Sequence, residues 1–283
     1  MRWALLWMLG CQGGAGGSPV EVRSDVCAEG GDTEVWVLQQ IRFPREESGI
    51  SPGFDIDGVV TEAGDGTGCG VVDYLSPDGT PGIDNAFARL RPALDTTEAS
   101  ALDAIVLEAI NSGGLLAMVE LHGVSDPSDD ACVDMVVTSG LGTQMIGNDG
   151  FLLPGQTFDP DPAADVSEVK GAAFVDGVLE DGPVDLRLPF SFLDADVVFT
   201  LLDGRVRLER HPDGRMTGTL GGGVAIQEIS DLAHNTGIDE TVEDLLDSLL
   251  GVTADLAPDE GGLCQQISIT LELEAVRAFY YPE

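Results

Sequence analysis

Lysine is nearly missing from this sequence: Lys170 is the only one, and 13 basic residues stand against 50 acidic ones, for a formal net charge of −37. A field of that sign repels nucleic acid and anionic lipid head groups, so neither is an expected partner. Histidine is scarce too, with only His122, His211 and His234. There is no GxSxG elbow, no HExxH pair, no phosphate-binding Walker loop and no GxGxxG turn opening a helix, so any enzyme here would be unorthodox. Nor is the apolar run Trp3 to Leu9 long enough to span a bilayer as a helix.

What remains is a chain of 283 residues, 43% of them hydrophobic, which is enough to bury an ordinary core. Its acidity has three physical readings: plain solubility, adaptation to salty surroundings, or binding of divalent cations. Unpaired surface carboxylates repel one another unless they are screened or ligated.

At the N-terminus Arg2 is followed by that short apolar run, then Gly10 and Cys11, the parts of an export signal. Met8-Leu9-Gly10-Cys11 resembles the lipobox of bacterial lipoproteins, in which the leader is cut before a lipid-modified cysteine. The resemblance implies a signal peptide over residues 1–10, lipidation at Cys11 and a membrane attachment through that lipid. Gly13 to Ser18 make residues 11–24 a flexible tether, as an anchored protein needs. Gln12 stands where an inner-membrane retention aspartate would be, so the same resemblance implies the outer membrane of the cell envelope.

With Cys11 set aside, Cys27, Cys69, Cys132 and Cys264 remain, an even number at long spacings without a CxxC pair. Two disulfides in an oxidising compartment fit that count, with Cys27–Cys69 and Cys132–Cys264 as the expected pairing. Zinc is the rival reading, though its ligands usually come in closely spaced pairs.

Residues 25–283 read as one mainly β domain, an antiparallel sandwich or open barrel with a few short helices and a loop-rich N-terminal part. Thr33 to Phe43 is rich in β-branched and aromatic residues and forms the first strand. An acidic, glycine-rich loop and a helical insert follow over about 47–113. Asp84 caps the first helix and Thr97 the second, which Gly113 stops. Strands dominate after Leu115. Asp203-Gly204 predicts a tight hairpin pairing Leu201 with Val206, and His211-Pro212-Asp213-Gly214 predicts another pairing Leu208 with Gly218 and Val206 with Leu220. Gly221 to Gly223 lead into a helix from Glu240 to Leu250, and His234 falls in a polar connector before it. Ile267, Ile269, Leu271 and Leu273 alternate with polar residues in a final strand.

Three constellations could carry chemistry. Asp55-x-Asp57-Gly58 resembles a fragment of EF-hand and thrombospondin-type calcium repeats, and it has two readings: Asp55, Asp57, Asp65 and Asp84 as calcium ligands, or solvated turns in which Asp-Gly and Pro-Asp-Gly serve backbone geometry alone. Ordering a loop with so few apolar anchors costs chain entropy that an ion would offset. Glu120 and His122, two apart on one strand, form a carboxylate and imidazole pair suited to proton transfer. Arg187, Arg205, Arg207, Arg210 and Arg215 cluster in one β stretch, where guanidinium groups match acidic sugars or lipid head groups, or pair with the chain's own carboxylates. The expected function is a lipid-anchored envelope protein with a binding or structural role toward a protein or glycan partner, with calcium as its cofactor. The alternative is a secreted hydrolase that uses surface carboxylates and His122.

Overall fold

The computed structural model describes Cys27 and residues 31–64, 69–96, 98–192, 195–235 and 240–282. Cys11, the tether over 11–24, Asp65 and Thr97 lie outside the described residues.

Alternating apolar side chains place eight strands around one core. They are β1 (Asp32–Arg42), β4 (Ala117–Val124), β5 (Asp130–Leu141), β7 (Ser167–Val175), β8 (Val178–Phe192), β9 (Ala195–Arg210), β10 (Arg215–Ala225) and β12 (Cys264–Tyr280). Each pairs antiparallel with the next in that order, and β12 pairs back onto β1, so the sheet closes into a barrel. Closure removes the unpaired edges that an open sheet would expose. Short strands complete the set: β2 (Tyr74–Leu75) pairs with β3 (Pro81–Ile83), β6 (Gln156–Pro160) joins the ends of β5 and β12, and β11 (Leu256–Pro258) flanks β12. Leu121, Met135, Phe174, Leu179, Val206, Leu208, Leu220 and Leu271 are all buried and belong to the main apolar core.

Four α-helices are found among the described residues: α1 (Phe87–Leu94), α2 (Leu102–Ser112), α3 (Ile226–Asn235) and α4 (Glu240–Thr253). α2 packs on β1 and ends at Gly113, whose φ of 86° favours glycine. α4 buries Leu246 and Leu250 and packs against α1, α3 and β12, while Leu245 of the same stripe is exposed. His234 is on the last turn of α3 rather than in a connector.

The hairpin at His211 to Gly214 has the expected register, with Leu208 opposite Gly218 and Val206 opposite Leu220. The second expected hairpin is absent, because Asp203-Gly204 lies inside β9. Leu201 pairs with Leu186 of β8, and the register then shifts before Gly204 meets Val184. Asp203 has a φ of 50° and its N–H donates to Asp185 at 3.0 Å, so the dipeptide's tolerance for positive φ serves a bulge instead of a turn.

Gly221 to Gly223 also continue a strand, pairing with β12. A Cβ at Gly221 would stand 2.9 Å from the Phe54 ring, so only glycine lets the acidic loop lie so close to the barrel wall. Two polar residues of β12 are buried for the same reason. Ser268 and Thr270 have almost no exposure, because the loop and α1 cover this side of the barrel. Ser268 Oγ accepts from the Ala86 N–H at the start of α1 and donates to Asp255. That bond corrects the expected cap: the N-cap of α1 is Ala86 with no side-chain cap of its own, and Asp84 is turned to another use.

Candidate metal centre

Asp84 belongs to a short bridge in which its N–H donates to the Phe54 carbonyl, which holds the loop's first turn against the entry to α1. Its Oδ2 accepts from the Ile56 N–H at 2.6 Å and the Asp57 N–H at 3.4 Å. Two further aspartates fold the turn locally. Asp55 Oδ1 accepts from the Gly58 N–H at 2.7 Å, and Asp57 Oδ1 accepts from the Val59 N–H at 2.8 Å. These bonds bring the three carboxylates together, and one oxygen from each of Asp55, Asp57 and Asp84 lies within 4.8 Å of the others. An ion roughly 2.4 Å from each oxygen spans that separation.

The carboxylates of the cluster crowd one another, and burial keeps Asp84 protonated toward neutral pH. Asp84 is only 3% exposed and no ion pair of its own is formed among the described residues. Burial pushes its pKa up to about 8 against the Ile56 hydrogen bond, and the charges of Asp255, Asp57 and Asp73 raise it further. Asp57 is raised by partial burial, with Asp55 adding to it, and Asp73 is raised by burial with help from Asp57 and Asp55. Asp255, pushed up to about 6 by burial, completes a field of five carboxylates. Asp73 and Asp255 were not legible as members, since Asp73 lies in the same acidic loop but far from the Asp55-x-Asp57 spacing, and Asp255 comes from the other end of the chain.

A cavity of about 570 Å³ opens beside the cluster. Asp55 and Asp57 line one side of it, and Asp203, Arg205, Gln266 and Pro183 line the rest. Arg205 and Arg207 flank the Phe54 ring, each 5.6 Å from its centroid, and both pair with Glu180. A second cavity, of about 380 Å³, lies between Glu46, Asp73, Tyr74 and Arg89.

The other sequence candidates fall elsewhere. The two disulfides are Cys27–Cys132 and Cys69–Cys264, which corrects the expected pairing. Long-range contacts decide the partners: Cys27 enters next to β5, with its N–H donating to Asp134, and Cys69 pins the acidic loop to the start of β12. All four cysteines are thereby engaged in disulfides, not zinc ligation. Glu120 and His122 do meet, Oε2 to Nε2 at 3.1 Å, with Thr33 on His122 Nδ1 at 3.2 Å and Tyr280 donating to Glu120 at 2.9 Å. Neither residue lines either cavity. The arginines pair with the chain's own carboxylates: Arg187 with Asp165, Arg210 with Glu34, and Arg215 with Asp213 and Glu274.

Comparison with known protein families, with curated proteins and with solved structures finds no match to this chain.

Proposed function

We propose that this chain is an exported, lipid-anchored protein of the bacterial cell envelope with a binding role, and that Asp55, Asp57 and Asp84 hold a calcium ion. The observation that carries the metal reading is Asp84, a buried carboxylate with no cationic partner among the described residues, close to two other carboxylates. Burying a charge without compensation is costly, and a divalent ion supplies the compensation. Calcium suits the set because all the ligands are carboxylate oxygens, and the glycine turn at Gly58 wraps the backbone close. The ion would tie the acidic loop to the barrel from one side, as Cys69–Cys264 does from the other.

The envelope reading is supported by the leader at Met8 to Cys11 and by two disulfides, which persist in oxidising compartments. No described helix is long and apolar enough to cross a membrane.

Calorimetric titration with calcium tests the metal centre. One ion is expected per chain, with binding lost in Asp57→Asn and a melting temperature that rises with calcium and falls with chelator. A melting curve indifferent to millimolar calcium overturns it. For the anchor, mass analysis of the membrane fraction is expected to show a chain that starts at acylated Cys11, and a chain that retains Met1 overturns it.

A further inference from the structure

In a chain with 50 acidic residues against 13 basic ones, a cation without a carboxylate is the exception. Among the described residues every arginine and the lysine stand within ion-pair distance of a carboxylate, with Arg89 alone excepted. Neutral groups hold Arg89 instead. Its Nη2 donates to the Val72 carbonyl, and its guanidinium carbon stands 4.6 Å from the centre of the Tyr74 ring. Val72, Tyr74 and Arg89 all line the cavity of about 380 Å³, so the guanidinium lies along that cavity's wall. It is fixed in place while its charge stays unneutralised, as a site made in advance for a carboxylate requires.

The same wall carries two carboxylates, Glu46 and Asp73. Each commits one oxygen to the backbone: Glu46 Oε2 accepts from the Gly49 N–H at 2.9 Å, and Asp73 Oδ2 accepts from the Thr61 N–H at 2.6 Å. Neither pairs with Arg89 or with another cation among the described residues. The cavity thus sets one unpaired positive group and two unpaired negative groups around a single space.

Charge selects the ligand. A plain anion would satisfy Arg89 and be repelled by Glu46, Asp73 and the field of the whole protein. A plain cation would leave Arg89 without a partner. A ligand that carries both charges a few ångströms apart meets both requirements and enters the field with no net charge. We propose that this cavity binds a free α-amino acid, its carboxylate on Arg89 and its ammonium toward Glu46 and Asp73. The volume suits a small ligand, and Pro92, Val72 and Ala88 offer apolar surface to an uncharged side chain. This site is separate from the calcium cluster and does not depend on it.

The test is a thermal-shift screen of the common amino acids on the full chain in chelator. Calorimetric titration follows, with the best binder, with the amine left when its carboxyl is removed and with the acid left when its amino group is removed. An amino acid with an uncharged side chain is expected to bind, and loss of either charged group is expected to weaken it at least about tenfold. Arg89→Gln is expected to weaken binding by a similar factor. Because that variant also alters the Val72 contact, Glu46→Gln supplies the control: it keeps an acceptor for the Gly49 N–H and the melting curve of the free chain, and is expected to weaken binding about tenfold. Absence of amino-acid binding, or binding that either variant leaves unchanged, overturns the site. An amine or acid that binds as tightly as the parent amino acid overturns the ligand class. Since chelator is present throughout, failure here leaves the metal reading intact.

Discussion

Gly221 lies directly beneath Phe54, so close that a methyl group on its Cα would stand 2.9 Å from the ring. This contact sets the height of the acidic loop above β10, and Asp55 follows Phe54 immediately. Gly221→Ala is therefore expected to lift the loop, with a stability loss of roughly 1–3 kcal/mol from overpacking and weaker calcium binding. Denaturant melts with and without calcium check both. An alanine variant with native calcium affinity would show that the loop's seat does not position the ligands.

Asp84 makes stability depend on pH in a direction set by its shift. Its folded pKa, about 8, lies above its unfolded value near 4, so the folded state holds this proton more tightly between those limits. The calcium-free protein is therefore expected to lose stability as pH rises from about 4 to 8. Asp255, at about 6, adds to the loss over the lower half of that window. Saturating calcium, which binds the ionised form and so lowers its folded pKa, is expected to flatten the slope. Melting temperatures measured across that range, in chelator and in calcium, decide the point.

Asp84→Asn separates the two roles of this residue. It removes the buried charge and keeps the side chain's size and its acceptor for the Ile56 N–H. Without calcium the variant is expected to be more stable than the parent at pH 8, by about 1 kcal/mol or more. It is also expected to gain nothing from calcium, where the parent gains about 2.7 kcal/mol at a hundredfold excess over Kd.

Removal of Cys69–Cys264 by paired serine substitutions is expected to cost up to about 5 kcal/mol in the chain-entropy model, since the bond closes a loop with a sequence separation of 195. The acidic loop would also become a site of protease cleavage, and calcium would restore part of its protection. Limited proteolysis of the double variant measures that, and protection unaffected by calcium would contradict a metal tie.

The β framework was largely legible because its signals are local. β1, β12, the His211 hairpin and the Gly113 helix stop each follow from alternation or from a residue that fits one backbone geometry. Asp203-Gly204 was misread because a tight turn and a bulge both want positive φ, and only the partner strand β8 decides between them. Gly221 to Gly223 resembled a linker for a similar reason: glycine marks close approach as well as flexibility, and the approaching ring is far away in sequence. At the site, the pair Asp55 and Asp57 was visible as a spacing. Asp84 does meet Asp55 and Asp57 in space but does not cap α1, because its carboxylate accepts from the Ile56 N–H of the loop instead of from the helix. Asp73, Asp203, Arg205, Asp255 and Gln266 converge only through the barrel's long-range pairing.

The two disulfides are interlaced, since Cys69 lies between Cys27 and Cys132, and Cys132 lies between Cys69 and Cys264. One consequence concerns damage. A single cut anywhere between Cys27 and Cys264 leaves the two fragments covalently joined, because at least one bond always crosses the break. Bonds between sequence neighbours would release the halves after a cut between Cys69 and Cys132. Under proteolysis, the interlaced arrangement means that a chain nicked once between these cysteines keeps both pieces covalently joined.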